Sequence, residues 1–217
     1  MTTAEIDRIK EAFARADAAR DPMHLIHRNL YGRGIDLYIG NKQAASDPAY
    51  LAEHGVGTVV NCAVNLDINM VTNVDPETRN LPFGWSPVRY YKLGIVDGPG
   101  NPTPMLLAGY YQLKGLIEQT FPQKPSYPWQ GTGNILVNCR GGRSRSVTLV
   151  ALFLHLECPS NYPTLQAAID HIRVARQLHP DEWPQAPKQV LVDAAQWSAD
   201  MVAMIRPFEP ATITEGE

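Results

Sequence analysis

The apolar positions of the chain switch between a period of about two and a period near 3.6 residues, and the switches outline the elements. Residues 25–31 and 35–40 read as strands on either side of a Gly32-Arg33-Gly34 turn, and residues 57–62 and 88–96 read as further strands. Ile135-Leu136-Val137 is short and β-branched, as a buried strand is. The apolar run over 147–156 is too long for a typical strand and apolar on nearly every face, which predicts a buried helix. Leu106, Leu107, Tyr110, Tyr111, Leu113 and Ile117 share the face of a helix over 104–120, opened by Pro104. Leu165, Ile169, Ile172 and Leu178 mark another helix with Thr164 as its N-cap.

Residues 44–54 predict a short helix. Ile6, Ile9, Phe13 and Ala16 predict an amphipathic helix over 3–20, stopped by Asp21-Pro22, so residues 1–22 are expected to form a helical extension. Residues 64–87 and 121–133 have neither period and read as loops, with Phe83 and Trp85 expected to pin the first. Residues 207–217 read as a disordered tail behind a domain spanning 23–206.

At 217 residues, the chain fits one α/β domain with a sizeable core. Apolar residues make up 44% and charged residues 19%, both globular values. A net charge of −3 gives no case for nucleic-acid binding. Three widely spaced cysteines argue against a disulfide scaffold and fit a reducing, cytoplasmic setting. The first residues carry no apolar signal segment, and no stretch approaches the length of a transmembrane span. His24 and His27 lack a third ligand at a metal-site spacing, so no metal and no cofactor are expected.

The chemistry concentrates in Asn138-Cys139-Arg140-Gly141-Gly142-Arg143-Ser144-Arg145-Ser146, between the buried strand and the buried helix. A strand-to-helix turn aims successive backbone N–H groups at one point, and the helix N-terminus adds positive partial charge, so the turn binds oxyanions. A thiol placed there among arginines is expected to ionise readily and to act as a nucleophile. Cys139 and Arg145 enclose five residues, which lets the Arg145 fork grip the anion that the thiolate attacks. The Ser146 hydroxyl lies close enough in sequence to stabilise the sulfur as it leaves.

This Cys-x5-Arg-Ser stretch resembles the signature loop of the cysteine-dependent protein tyrosine phosphatases, in their small dual-specificity branch. The resemblance covers about residues 35–200. It implies a single α/β domain with a central, mostly parallel twisted sheet flanked by helices. It also implies a Pro-rich link over 179–189 into a last helix at about 188–205. By the same match, Cys139 is the nucleophile, and Arg140, Gly141, Gly142, Arg143, Ser144 and Arg145 bind phosphate. Asp97, at the tip of a strand on a glycine-rich loop, is the general acid. The family has His where this chain has Asn138, which is expected to support the loop without carrying charge. Some members have a cysteine at the strand end where Cys62 falls, which implies a reversible disulfide between Cys62 and Cys139. The alternative for Cys62 is a small residue that fills space.

The activity implied is hydrolysis of phosphomonoesters through a phosphocysteine, on phosphotyrosine and phosphoserine/threonine proteins. Arg140 and Arg143 leave open a phosphorylated lipid or inositol substrate, such as phosphatidylglycerophosphate or a phosphoinositide. Further alternatives are a rhodanese-like sulfurtransferase, whose loop also begins with cysteine, and a weakly active phosphate-binding module.

Overall fold

The computed structural model describes residues 19–71, 83–84, 86–129 and 131–209. Five strands form one sheet: β1 (Met23–Leu30), β2 (Ile35–Gly40), β3 (Val56–Ala63), β4 (Arg89–Ile95) and β5 (Asn134–Asn138), in spatial order β1-β2-β5-β3-β4. β1 and β2 pair antiparallel around the glycine turn, and every other pairing is parallel. The strand that precedes the signature loop, β5, is therefore central, with β2 and β3 on its flanks. Its side chains alternate between two cores. Ile135 and Val137 face the larger one, and Leu136 faces the smaller.

The helices are α1 (Lys42–Ala45), α2 (Pro48–Glu53), α3 (Met105–Glu118), α4 (Arg145–Glu157), α5 (Leu165–Ala175) and α6 (Gln189–Ile205). The single short helix expected over 44–54 is two, because Asp47 caps Tyr50 N and Pro48 opens a new first turn. α4 has the expected character, with all ten residues from Arg145 to Leu154 buried. It packs against α3, α5 and α6 on one face of the sheet. α1 and α2 cover the other face around Val59, Leu136 and Leu51. Thr164 caps α5 by accepting from Ala167 N at 3.0 Å, as expected.

Some loop expectations fail. Phe83 is 82% exposed and pins nothing. Trp85 and residues 72–82 lie outside the described residues, as do residues 1–18, where the extension helix was expected. Trp129 from the second loop instead reaches the first, donating its indole N–H to Ser86 O at 3.1 Å. The tail does not begin at 207: Arg206–Phe208 form a 3-10 turn, and Glu209 accepts from Lys114 Nζ at 2.8 Å and from Tyr111 OH at 2.7 Å. Residues 210–217 lie outside the described residues. Among the described residues, no helix is long and apolar enough to cross a membrane.

Candidate active site

β5 ends at Asn138 and α4 begins at Arg145, so Cys139 stands at the C-terminal edge of the sheet, facing the helix N-terminus. The first N–H groups of a helix have no partner within it, so they are available to the turn. Cys139 is 2% exposed. Gly142 N donates to its Sγ at 3.2 Å, and Ser146 Oγ lies 3.4 Å away. Gly142 has φ +65°, and a Cβ there would stand 2.6 Å from Gly40 O, so the position accepts only glycine. Burial pushes the Cys139 thiol up. The Ser146 hydroxyl and amide, the Arg145 charge and the Arg143 amide outweigh burial and hold the thiol below its ordinary value.

Two outside donors set the direction of the loop amides. Lys42 N donates to Arg140 O at 3.1 Å, and Arg176 Nε donates to Gly142 O at 3.2 Å. In a planar trans peptide the C=O and the next N–H point opposite ways. Holding Gly142 O outward turns the Arg143 amide toward the sulfur, which it stabilises. Arg176 is 1% exposed and also meets His24 Nδ1 at 2.7 Å and Asp21 O at 3.4 Å.

Arg145, 3% exposed, donates through Nη1 to Asn65 Oδ1 at 2.9 Å and Ile95 O at 3.3 Å, while its Nε is buried without a partner. Asp97 follows β4 on an exposed glycine-rich turn. Asn101 shapes that turn, accepting from Val96 N at 2.8 Å and donating to Val96 O at 2.9 Å and Gly98 O at 3.0 Å. Lys188 ties the turn to the signature loop: its Nζ donates to Asp97 O at 2.8 Å and its backbone N to Ser144 Oγ at 3.3 Å. Cys139, Arg145 and Asp97 all line one cavity of about 710 Å³, with Lys42, Arg140 and Lys188 among its other lining residues.

Two sequence expectations change here. Asn138 does not support the loop through its side chain, whose Oδ1 and Nδ2 are buried without a hydrogen bond. The alternation along β5 turns it away from Cys139, onto the face of Leu136. Arg143 lines the cavity, yet its Nη1 is held at 2.8 Å by Glu182 Oε1, which binds it into the wall. Cys62 is fully buried in the same core as Cys139, and β3 pairs with β5 at Asn61 and Asn138, one residue before the two cysteines. Burial pushes the Cys62 thiol well up, and the nearby Cys139 raises it further. Asn65, Asn101, Arg176, Glu182 and Lys188 were not found from the sequence. Among the described residues, no three His, Cys, Asp or Glu side chains cluster as metal ligands.

The sheet order, the strand-to-helix thiol loop and the covering helices make up an α/β fold of the kind seen in solved dual-specificity phosphatases. Solved structures share it at low sequence identity. A mouse putative dual specificity phosphatase, crystallised with zinc tungstate, superposes with a TM-score of 0.58 at 18% identity, over 87% of this chain and 93% of that one. Human DUSP28 gives 0.55 at 17% identity, over 84% and 96%. The Yvh1 phosphatase domain from Chaetomium thermophilum gives 0.53 at 16% identity, over 77% and 92%. No protein-family model and no curated protein sequence matches the chain.

Proposed function

We propose that the protein is a cysteine-dependent phosphatase that hydrolyses phosphomonoesters through a phosphocysteine. The observation that carries this reading is the meeting of Cys139, Arg145 and Asp97 in one cavity, with the thiol lowered below its ordinary value. The Cys139 thiolate attacks phosphorus, forming the S–P bond as the P–O bond to the leaving group breaks. Asp97 gives its proton to the departing oxygen. The Asp97 carboxylate then takes a proton from water, whose oxygen displaces sulfur and releases inorganic phosphate. Amides of residues 140–145 and the Arg145 fork hold the charge on the phosphoryl oxygens throughout. The Ser146 hydroxyl stabilises the thiolate when it leaves.

Asp97 in the cavity favours this chemistry over sulfur transfer, which needs no acid for an alcohol leaving group. The substrates proposed are phosphotyrosine and phosphoserine/threonine proteins. A phosphorylated lipid or inositol is the second reading, favoured by Lys42 and Arg140 on the cavity wall. Cys62 is proposed to trap oxidised Cys139 as a disulfide, since adjacent strands stand about 4.8 Å apart, within disulfide reach.

Steady-state assays on para-nitrophenyl phosphate, phosphotyrosine and phosphothreonine peptides, and phosphoinositides test the reading, with Cys139→Ser as control. Hydrolysis lost in the control supports it. Thiosulfate:cyanide transfer without phosphate release would overturn it. After peroxide, dithiothreitol restores activity to the wild type and much less to Cys62→Ser; equal recovery reduces Cys62 to packing.

A further inference from the structure

Glu182 has no part in the chemistry above, yet it is 4% exposed and every oxygen it carries is engaged. It closes the 3-10 turn Pro180–Glu182. Oε1 accepts from Arg143 Nη1 at 2.8 Å. Oε2 accepts from Arg20 Nη2 at 3.2 Å and from His179 N at 3.2 Å. A buried carboxylate thus lies between two guanidiniums, one from the phosphate-binding loop and one from the segment ahead of β1. The Arg20 side chain is 5% exposed, and Arg20 is not among the residues lining the cavity. The next residue, Asp21, accepts from Arg176 through its carbonyl, and Arg176 in turn holds Gly142 O. The short segment before β1 therefore meets the loop twice, at Arg143 through Glu182 and at Gly142 through Arg176.

Resting on the phosphatase reading, we propose that Glu182 is a positioning residue for the phosphate-binding loop and that Arg20, outside the cavity, acts on turnover through it. The Arg143 side chain is anchored at Glu182, and the Arg143 amide is one of the groups turned toward Cys139 Sγ. Losing the Glu182 contact loosens that peptide and weakens the amide cradle. Arg20 holds the carboxylate in place for Arg143.

The sign of one titration separates this role from simple electrostatics. The groups that face Cys139 are Arg145, the Ser146 hydroxyl, the amides of Gly142, Arg143 and Ser146, and Cys62 from β3. Removing the negative charge of Glu182 alone favours the thiolate and lowers the Cys139 pKa. Loosening the amides that stabilise the thiolate raises it. The rate of Cys139 alkylation by iodoacetamide against pH, read by mass spectrometry on the full chain, gives the sign.

The expected result is an upward shift in Glu182→Gln and in Arg20→Ala, with kcat on para-nitrophenyl phosphate lowered about tenfold or more. Arg20→Lys recovers most of the loss. In the double variant the loss is smaller than the sum of the two, because both variants disturb the contact between Arg143 and Glu182. A downward or absent shift in Glu182→Gln, or an Arg20→Ala protein with unchanged kcat and titration, overturns the proposal. If Glu182→Gln fails to fold, Arg20→Ala and Arg20→Lys decide it. Alkylation reads the loop whether or not phosphate is released, so failure of the phosphatase reading remains separate from failure of this one.

Discussion

The two ends of α4 each bury polar side chains and are finished in opposite ways. At the C-terminal end, Glu157 accepts from Tyr31 OH at 2.6 Å, from Arg206 Nη2 at 2.6 Å, and from Tyr110 OH. Arg206 also donates to Leu156 O at 2.7 Å, capping a helix carbonyl. Burial and the adjacent carboxylate push the Tyr31 phenol well up, so it stays a donor at neutral pH. At the N-terminal end, Arg145 Nε and both polar atoms of Asn138 are buried without partners. Unpaired buried groups are costly, and a chain tolerates them mainly where a site needs them. Arg145 Nε belongs to the fork proposed to hold the phosphoryl oxygens. The C-terminal cluster is a structural tie, complete within the chain.

The variants that break this contrast rank by size. Cys139→Ser should abolish turnover while phosphate still binds, because the amides and Arg145 remain; residual activity above background in purified protein would point to another nucleophile. Asp97→Asn should cost roughly 10²–10⁴-fold in kcat for esters with poor leaving groups. The loss should shrink for good leaving groups, which need no proton, and a loss independent of leaving-group pKa would remove Asp97 from the acid role. In the wild type, kcat/KM should rise with pH as the Cys139 thiol ionises, at a pH below that of an ordinary cysteine.

Changes at the other end should move stability and spare chemistry. Glu157→Leu removes the acceptor of Tyr31 OH and one contact each of Tyr110 OH and Arg206, which keep their contact with each other, costing roughly 1–3 kcal/mol in urea unfolding, with kcat unchanged. A matching fall in kcat would mean that the two ends are coupled. The smallest effect is expected at Asn138→Leu, which removes an unsatisfied amide at similar volume. It should stabilise the fold by about 1 kcal/mol in the same assay and leave Cys139 alkylation unchanged. A destabilised protein, or a shifted alkylation profile, would show that the amide has a partner in solution.

What the sequence disclosed follows from how local each signal is. α4 was legible because ten consecutive buried residues leave no polar face, and β5 because three apolar residues precede a polar turn. Cys139, Arg145 and Ser146 were legible because a turn into a helix fixes their separation. Asp97 was reached only through the family likeness, since an aspartate before glycine is an ordinary turn residue. The residues that hold the site were invisible for a physical reason. Lys188 and Asp97 meet across 91 positions, Arg145 and Asn65 across 80, and Arg143 and Glu182 across 39. Such contacts are made by the packing of α6, the Pro-rich link and the β3–β4 loop, and no periodicity encodes them. Phe83 was misread because an aromatic residue in a loop suggests an anchor, whereas this one faces solvent.

The central claim is a covalent phosphoryl group on Cys139. Rapid acid quench of the Asp97→Ala protein with a radiolabelled aryl phosphate, followed by peptide mapping, tests it most directly. With water activation slowed by loss of the carboxylate and a leaving group that needs no proton, the intermediate should accumulate. Label on the peptide containing Cys139, chased into inorganic phosphate on dilution and absent from Cys139→Ser, is the predicted result. Phosphate release with no label on that peptide at any time, or label on a different residue, would contradict the account.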